Sequence, residues 1–246
     1  MALIKEGDTF ITNQGCIAKV IKYNSVSDII IEFQDEFKHQ ANVLAHHLRR
    51  GSVKNPYFKS VCGVGYVGVG KYKPSVNSIH TPEYSAWKSM IRRCYSKNTH
   101  ERQPTYKDCY VCDEWHNFQI FAEWYVKQPH YSDNYQLDKD LLVDGNKVYS
   151  PETCILAPAL LNSILTDSAA IRGEYPIGVS LDKDSGKFFA CMSVSKKKKF
   201  LGYYDNVNHA AEAYQIAKKE HLKQTALDWK DRIDERLFNA LIRKTA

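Results

Sequence analysis

Three carboxylates and a carboxamide fall within nine residues of one another near the middle of the chain: Asp138, Asp140, Asp144 and Asn146. Side chains of these types can hold a divalent cation or act as a base on water. An ordinary aspartate, with a pKa of about 3.9, is a poor base at neutral pH unless its surroundings raise that value or a metal lowers the pKa of the water. Asp138-Lys139-Asp140 also reads simply as an exposed charge cluster. The other candidate for site chemistry is Cys109-Tyr-Val-Cys112, with His116 four residues on. One CxxC without a second pair or a nearby His pair falls short of a zinc site, so zinc is not expected. His80, His100, His116 and His130 sit in polar stretches and read as surface residues that could lend a base from outside the acidic segment.

The segment that carries Asp138 has a defined order of elements. A strand around Gln136 to Lys139, a loop at Asp144-Gly145-Asn146, a second strand at Thr153 to Ala157 and a helix from Pro158 give a ββα arrangement, with Pro158 suited to a helix start. Further on, Ile177–Leu181, Lys187–Ser193 and Phe200–Tyr204 are short strand signals, the last two separated by the lysine run 196–199. A three-stranded meander is predicted. After it, Ala210, Ala211, Ala213, Tyr214, Ala217 and His221 recur at spacings of three and four, so one small-residue face can lie flat on a sheet, with Asn208 as N-cap. A last helix is predicted over 226–243, with Trp229, Ile233, Leu237, Ala240 and Leu241 on one face. The lysine run reads either as a phosphate-binding turn or as a solvated hairpin tip.

Upstream, short apolar runs between residues 4 and 50, broken by Asn-Gln-Gly, Asn-Ser and Gln-Asp-Glu, predict about five strands and a small SH3-like barrel. The glycines at 63, 65, 68 and 70 are spaced too irregularly for a phosphate-binding loop, and no Lys-Ser or Lys-Thr follows them. They suit an extended segment that lies close to another backbone or along DNA. Tyr84, Trp87, Met90, Ile91 and Cys94 make a helical stripe, and a second helix from Asn117 carries Phe118, Phe121, Trp124 and Tyr125. These aromatic residues are read as core.

The chain has 246 residues, 43% of them hydrophobic, and a net charge of +6. Basic residues outnumber acidic ones 10 to 6 over residues 1–75 and 15 to 10 over 171–246, whereas 76–170 hold 9 against 12. Basic ends around an acidic middle suit contact with an anionic polymer. Seven cysteines without a regular framework point to reduced thiols, and neither a long apolar run nor a signal-peptide pattern is present, so a cytoplasmic protein without membrane contact is expected.

Two family resemblances join these readings. Gly178-Val179, Lys187-Phe188, Leu201-Gly202-Tyr203-Tyr204-Asp205 and Ala210-Ala211-x-Ala213-Tyr214 resemble the APETALA2-type domain of ethylene-response factors, also found in mobile-element endonucleases. The span from Tyr84-x-x-Trp87-x-x-Met90-x-x-Arg93-Cys94-Tyr95 through Val111-Cys-Asp-Glu-Trp115 to Asp144-Gly-Asn-x-x-Tyr-Ser-Pro-Glu-Thr-Cys154 resembles HNH-like proteins of phages and bacterial mobile elements. The first resemblance implies that the outer face of the sheet contacts double-stranded DNA through Ser180, Asp182, Phe189, Cys191, Ser193, Phe200 and the lysines Lys196, Lys197, Lys198 and Lys199. Lysines in place of the arginines of the plant domains imply salt-sensitive, modestly specific binding.

The second resemblance implies metal-dependent phosphodiester cleavage with Mg²⁺ or Mn²⁺. Asp138 then stands where that family has its histidine base, Thr153 where it has an orienting asparagine, and Asn162 near the last metal ligand; Asp138, Asp140 and Asn162 would hold the metal. The combined expectation is an α+β chain with an SH3-like barrel at 1–58, a Gly-rich linker at 59–82, an HNH-like region at 83–170 and an APETALA2-like module with a bracing helix at 171–246. Its function would be that of a homing-type endonuclease acting in a bacterial host cell. The alternatives are a catalytically silent DNA-binding regulator or counter-defence protein, and an interaction module whose barrel binds a protein partner.

Overall fold

Alternating apolar residues build the first sheet. In the computed structural model, which describes residues 3–129, 131, 135–165, 174–194 and 197–245, β1 (Thr9–Ile11), β2 (Ile17–Ser25), β3 (Asp28–Phe33) and β4 (Gln40–Val43) form an antiparallel meander in sequence order. The period of two puts Ala18 and Val20 with Ile29, Ile31 and Phe33 on one buried face, against Ala45 and Leu48 of the short helix α1 (Ala45–Arg49). The expected barrel does not close. The run after Val43 turns into α1 rather than a fifth strand, and the chain returns beyond the end of β1 through Asn13 N–H donating to the Gly51 carbonyl and Asn55 N–H donating to the Gln14 side chain, each at 2.7 Å. Gly51 has a φ of +65°, and a Cβ there would lie 2.9 Å from the Asn13 side chain.

The chain forms two compact units, Met1–Val126 and Lys127–Ala246, so the span 83–170 contributes to both. In the first unit the Gly-rich stretch is bound down along its length. The ring of Trp87 occupies the space beside Gly65, and the side chain of Gln119 that beside Gly70. Gln119 also donates to the carbonyls of Val67 and Tyr72 and accepts from Tyr72 N–H. After the exposed hairpin of β5 (Ser75–Val76) and β6 (Ile79–His80), helix α2 (Pro82–Tyr95) starts at Thr81, whose hydroxyl accepts from Tyr84 N–H, with Pro82 at the first turn. Its predicted stripe, Tyr84, Trp87, Met90, Ile91 and Cys94, is buried. Helix α3 (Lys97–Arg102) and the two-residue β7 (Tyr110–Val111) lead to α4 (Phe118–Val126), which buries Phe118, Phe121 and Tyr125. Trp87 Nε1 donates to the Trp115 carbonyl at 2.7 Å, which satisfies the buried indole.

The second unit opens with β8 (Gln136–Asp138), the two-residue β9 (Val148–Tyr149), β10 (Ile155–Ala157) and α5 (Ala159–Leu165). β8 and β10 are antiparallel, so the predicted ββα order is present, with shorter strands and with Pro158 one residue ahead of the helix. Then β11 (Val179–Leu181), β12 (Phe188–Val194) and β13 (Lys197–Tyr204) form the predicted meander. Helix α6 (Val207–Trp229) covers one side of it. The N-cap is Asn206 rather than Asn208: the Asn206 side chain accepts from Asn208 N–H at 2.7 Å. The predicted helix over 226–243 is broken. Residues 226–229 end α6, and after a 3₁₀ turn Asp234 caps α7 (Glu235–Arg243). The expected apolar face survives the break, because Trp229, Ile233, Leu237 and Leu241 join one core with Leu222, Ala226, Ile155, Ala157 and Leu161.

The architecture is mixed α and β with several small sheets. All seven cysteines are free thiols, and no helix among the described residues is long and apolar enough to cross a membrane. Gly178, at a φ of +78°, gives a direct test of how α6 docks: a Cβ there would lie 2.1 Å from the Tyr214 ring. Gly178→Ala is expected to destabilise the second unit by about 2 to 4 kcal/mol through overlap and backbone strain. Hydrogen exchange of residues 176–229 would register this as lost protection, with the first unit unchanged.

Candidate nucleic-acid interface

The sheet of β11, β12 and β13 has one face under α6 and one in solvent, and register decides which residue goes where. Phe188, Ala190, Met192 and Val194 alternate toward the helix, leaving Phe189, Cys191 and Ser193 on the open side. Ser180 pairs with Phe189, Cys191 with Phe200, and Ser193 with Lys198. Cross-strand partners share a face, so Ser180, Phe189, Cys191, Ser193, Lys198 and Phe200 lie together as expected. Lys197 and Lys199 do not join them. They are strand residues rather than turn residues, and they pair with Val194 and Met192, whose face is the helix side. Lys196, like His130, lies outside the described residues.

One member of the open face departs from the alternation read in the sequence. The ladder shifts between Ala190 and Cys191, whose partners are Gly202 and Phe200, so Leu201 is an extra residue in β13. Beyond this bulge the phase reverses: Phe189 pairs with Tyr203, and Tyr203 faces solvent beside Phe200. The available signal was Gly202, a glycine inside a strand pattern, here at a φ of +136°. The result is an aromatic triad. Ring centroids of Phe200 and Tyr203 are 5.2 Å apart, and Phe189 lies 6.5 and 6.2 Å from them.

Asp182 lies beside one corner of the triad. Its carboxylate accepts from the Ser185 hydroxyl at 2.9 Å and from Asp184 N–H at 3.1 Å. The Ser185 bond, then that of Asp184 N–H, holds the carboxyl below the usual carboxylate range. The negative charge of Asp182 in turn pushes the Tyr203 phenol above its usual value. Lys187 is engaged elsewhere, 3.2 Å from Asp205.

The acidic segment of the same unit is gathered around a buried lysine. Lys139 is 5% exposed, and its ammonium donates to both Asp140 oxygens at 2.7 Å and to the Asn146 carbonyl at 2.6 Å. Asp138 Oδ1 accepts from the N–H groups of Asp140 and Leu141 at 2.7 and 2.9 Å. The Asn146 amide donates to the carbonyls of Lys139 and Val148, and Thr153 donates to Val148 as well. Asp144 pairs with Lys244. Asn162 reaches Gln136 at 3.3 Å, two strand positions from Asp138.

Asp138, Asp140, Asn146 and Thr153 thus belong to one hydrogen-bonded loop system, whereas Asn162 lies at the other end of the hairpin. Each carboxylate already has an ammonium or backbone N–H partner. Among the described residues no group of three or more His, Cys, Asp or Glu is arranged to hold a metal, and the arrangement around Asp138 and Asp140 does not fit a divalent cation as it stands.

In the first unit, Cys109 donates to the Thr105 carbonyl, and His116 packs on Tyr95 with Asp113 at 3.9 Å. Burial holds the His116 imidazole below the usual histidine range, with Asp113 pulling the other way. Comparison with protein families, with curated proteins and with solved structures finds no match for this chain.

Two measurements follow from these contacts. Asp138→Ala is expected to cost about 1 to 2 kcal/mol by stripping two N–H groups of their acceptor, whereas Asp138→Asn, which keeps Oδ1, retains most of the stability. Lys139→Ala is expected to cost about 1 kcal/mol by removing a buried ammonium from the half-exposed Asp140 and from the Asn146 carbonyl. Urea unfolding followed by hydrogen exchange of residues 135–165 checks both. For His116, a folded pKa below the unfolded value means that the unfolded chain binds more protons, so stability falls as pH drops through about 6.5. Thermal unfolding across that window should show this slope in the first unit, and His116→Gln should flatten it.

Proposed function

We propose that this chain is a DNA-binding protein that contacts duplex DNA with the open face of the sheet formed by β11, β12 and β13. The observation that carries the reading is the face itself: solvent-exposed Phe200 and Tyr203, with Lys198 as the charged side chain among them, opposite the side on which α6 packs. Lysine supplies a point charge for phosphate without the planar fork that reads guanine edges, so binding should be salt-dependent and only weakly selective for sequence. Lys197 and Lys199, at the same end of β13 but on the other side of the strand, add to the local positive field rather than to the face.

The segment around Asp138 is, in this reading, a support for the unit. Its carboxylates hold backbone N–H groups and Lys139 in place, which is work of a structural kind. One observation favours the second reading, metal-dependent phosphodiester cleavage by an HNH-like site: the antiparallel β8–β10 pair followed by α5 has the ββα order that such a site requires. That function would need Asp138 and Asp140 to release their present partners for Mg²⁺ or Mn²⁺. The four-stranded meander of the first unit is proposed as an open relative of an SH3-like barrel, and a protein partner for it as a separate role.

The experiment is incubation of the protein with plasmid and with linear duplex in Mg²⁺, Mn²⁺ or EDTA, read on a gel. Retarded, intact DNA in all three conditions is expected. Metal-dependent nicking abolished by Asp138→Ala would replace the binder reading with the nuclease reading. Lys198→Ala should weaken duplex binding and reduce the slope of log affinity against log salt by about 0.9. An unchanged slope would remove Lys198 from the contact.

A further inference from the structure

The open face is rich in rings and poor in the groups that read base edges. Within β11, β12 and β13 there is no arginine, and the side chains that share the open face are Ser180, Phe189, Cys191, Ser193, Lys198, Phe200 and Tyr203. Bidentate recognition of a paired base needs an arginine fork or an Asn or Gln amide, and the strands present none of these on that side. What they present is planar surface. Phe200 and Tyr203 are 55% and 54% exposed, and the three ring pairs are tilted or edge-on rather than stacked, so the triad does not satisfy itself face to face.

A base inside a duplex has both faces covered by its neighbours, whereas an unpaired base has a face to offer, and stacking on aromatic side chains tolerates any sequence. Charge is complementary as well. Lys198 is the charged residue that these strands direct to the open face, two positions from Phe200, where a backbone phosphate beside a stacked base can reach it.

We infer that the Phe189, Phe200 and Tyr203 triad stacks unpaired bases, so that DNA with a short unpaired stretch inside a duplex is the preferred ligand over the same duplex fully paired. This rests on the DNA-binding reading above. The test is fluorescence anisotropy of a labelled duplex, of the same duplex carrying a bubble of a few nucleotides, and of the corresponding single strand, in EDTA at fixed salt.

The bubble is expected to bind about tenfold more tightly than the paired duplex, in line with the stacking of one base. Phe200→Ala and Tyr203→Ala should weaken bubble binding more than paired-duplex binding, so that the tenfold preference falls to about parity. Phe200→Leu, which keeps apolar bulk without a flat ring, should do the same and guards against a folding defect. Equal affinity for bubble and paired duplex, or a preference that survives all three variants, would overturn the inference while leaving the DNA-binding reading in place. Failure to bind DNA of any form would overturn both.

Discussion

Helix α6 is the constraint on which the second unit depends. At 23 residues it is roughly 35 Å long, and its two halves serve different cores. Ala210 and Tyr214 pack on the three-stranded sheet, whereas Leu222 and Ala226 pack with β10, α5 and α7. One rod therefore ties the sheet to the ββα segment. It must present small residues where the sheet comes close and branched apolar ones further along. The close approach is sharpest at Gly178, where the Tyr214 ring fills the volume that any other side chain would claim. Because α6 packs on one side of the sheet, the rings of Phe200 and Tyr203 on the other side stay exposed.

The acidic segment shows how the same residue types serve different ends. Read as a string, Asp-Lys-Asp offers ligands and a base. Folded, the lysine is the buried member and the carboxylates are arranged around it and around backbone N–H groups. Burying an ammonium is tolerated only when several acceptors surround it, and here they come from Asp140 and the Asn146 carbonyl, with the Tyr149 ring 5.9 Å away. The other polar side chains of the loop, Asp138, Asn146 and Thr153, satisfy backbone groups rather than the cation.

Much of this arrangement was legible in advance, for identifiable reasons. The stripe on α2 and the aromatic residues of α4 follow from a period of 3.6, and the meander with its covering helix follows from period two giving way to closely spaced alanines. The misreadings arose where length or partnership decides. A fifth strand in the first unit could not be told from the helix that replaces it, because Val43-Leu44-Ala45 is apolar in either state. The break at Ile233-Asp234 keeps its apolar residues in one core, so periodicity alone could not reveal it. Lys139 looked like surface because a sequence does not disclose which acceptors will surround an ammonium. The Gly-rich stretch looked like a tether, yet Trp87 and Gln119 occupy the space its missing side chains leave.

The bulge at Leu201 has an evolutionary corollary. It separates β13 into a lysine half and a tyrosine half, and it absorbs the one extra residue that would otherwise invert everything on one side of it. Plain alternation through Leu201 would turn Tyr203 inward and send Tyr204 out, whereas removing Leu201 would leave both tyrosines facing as they do. Which of two adjacent tyrosines meets the outside world is therefore decided by whether the strand bulges at Leu201, and the codon for that residue can be lost without redrawing the surface.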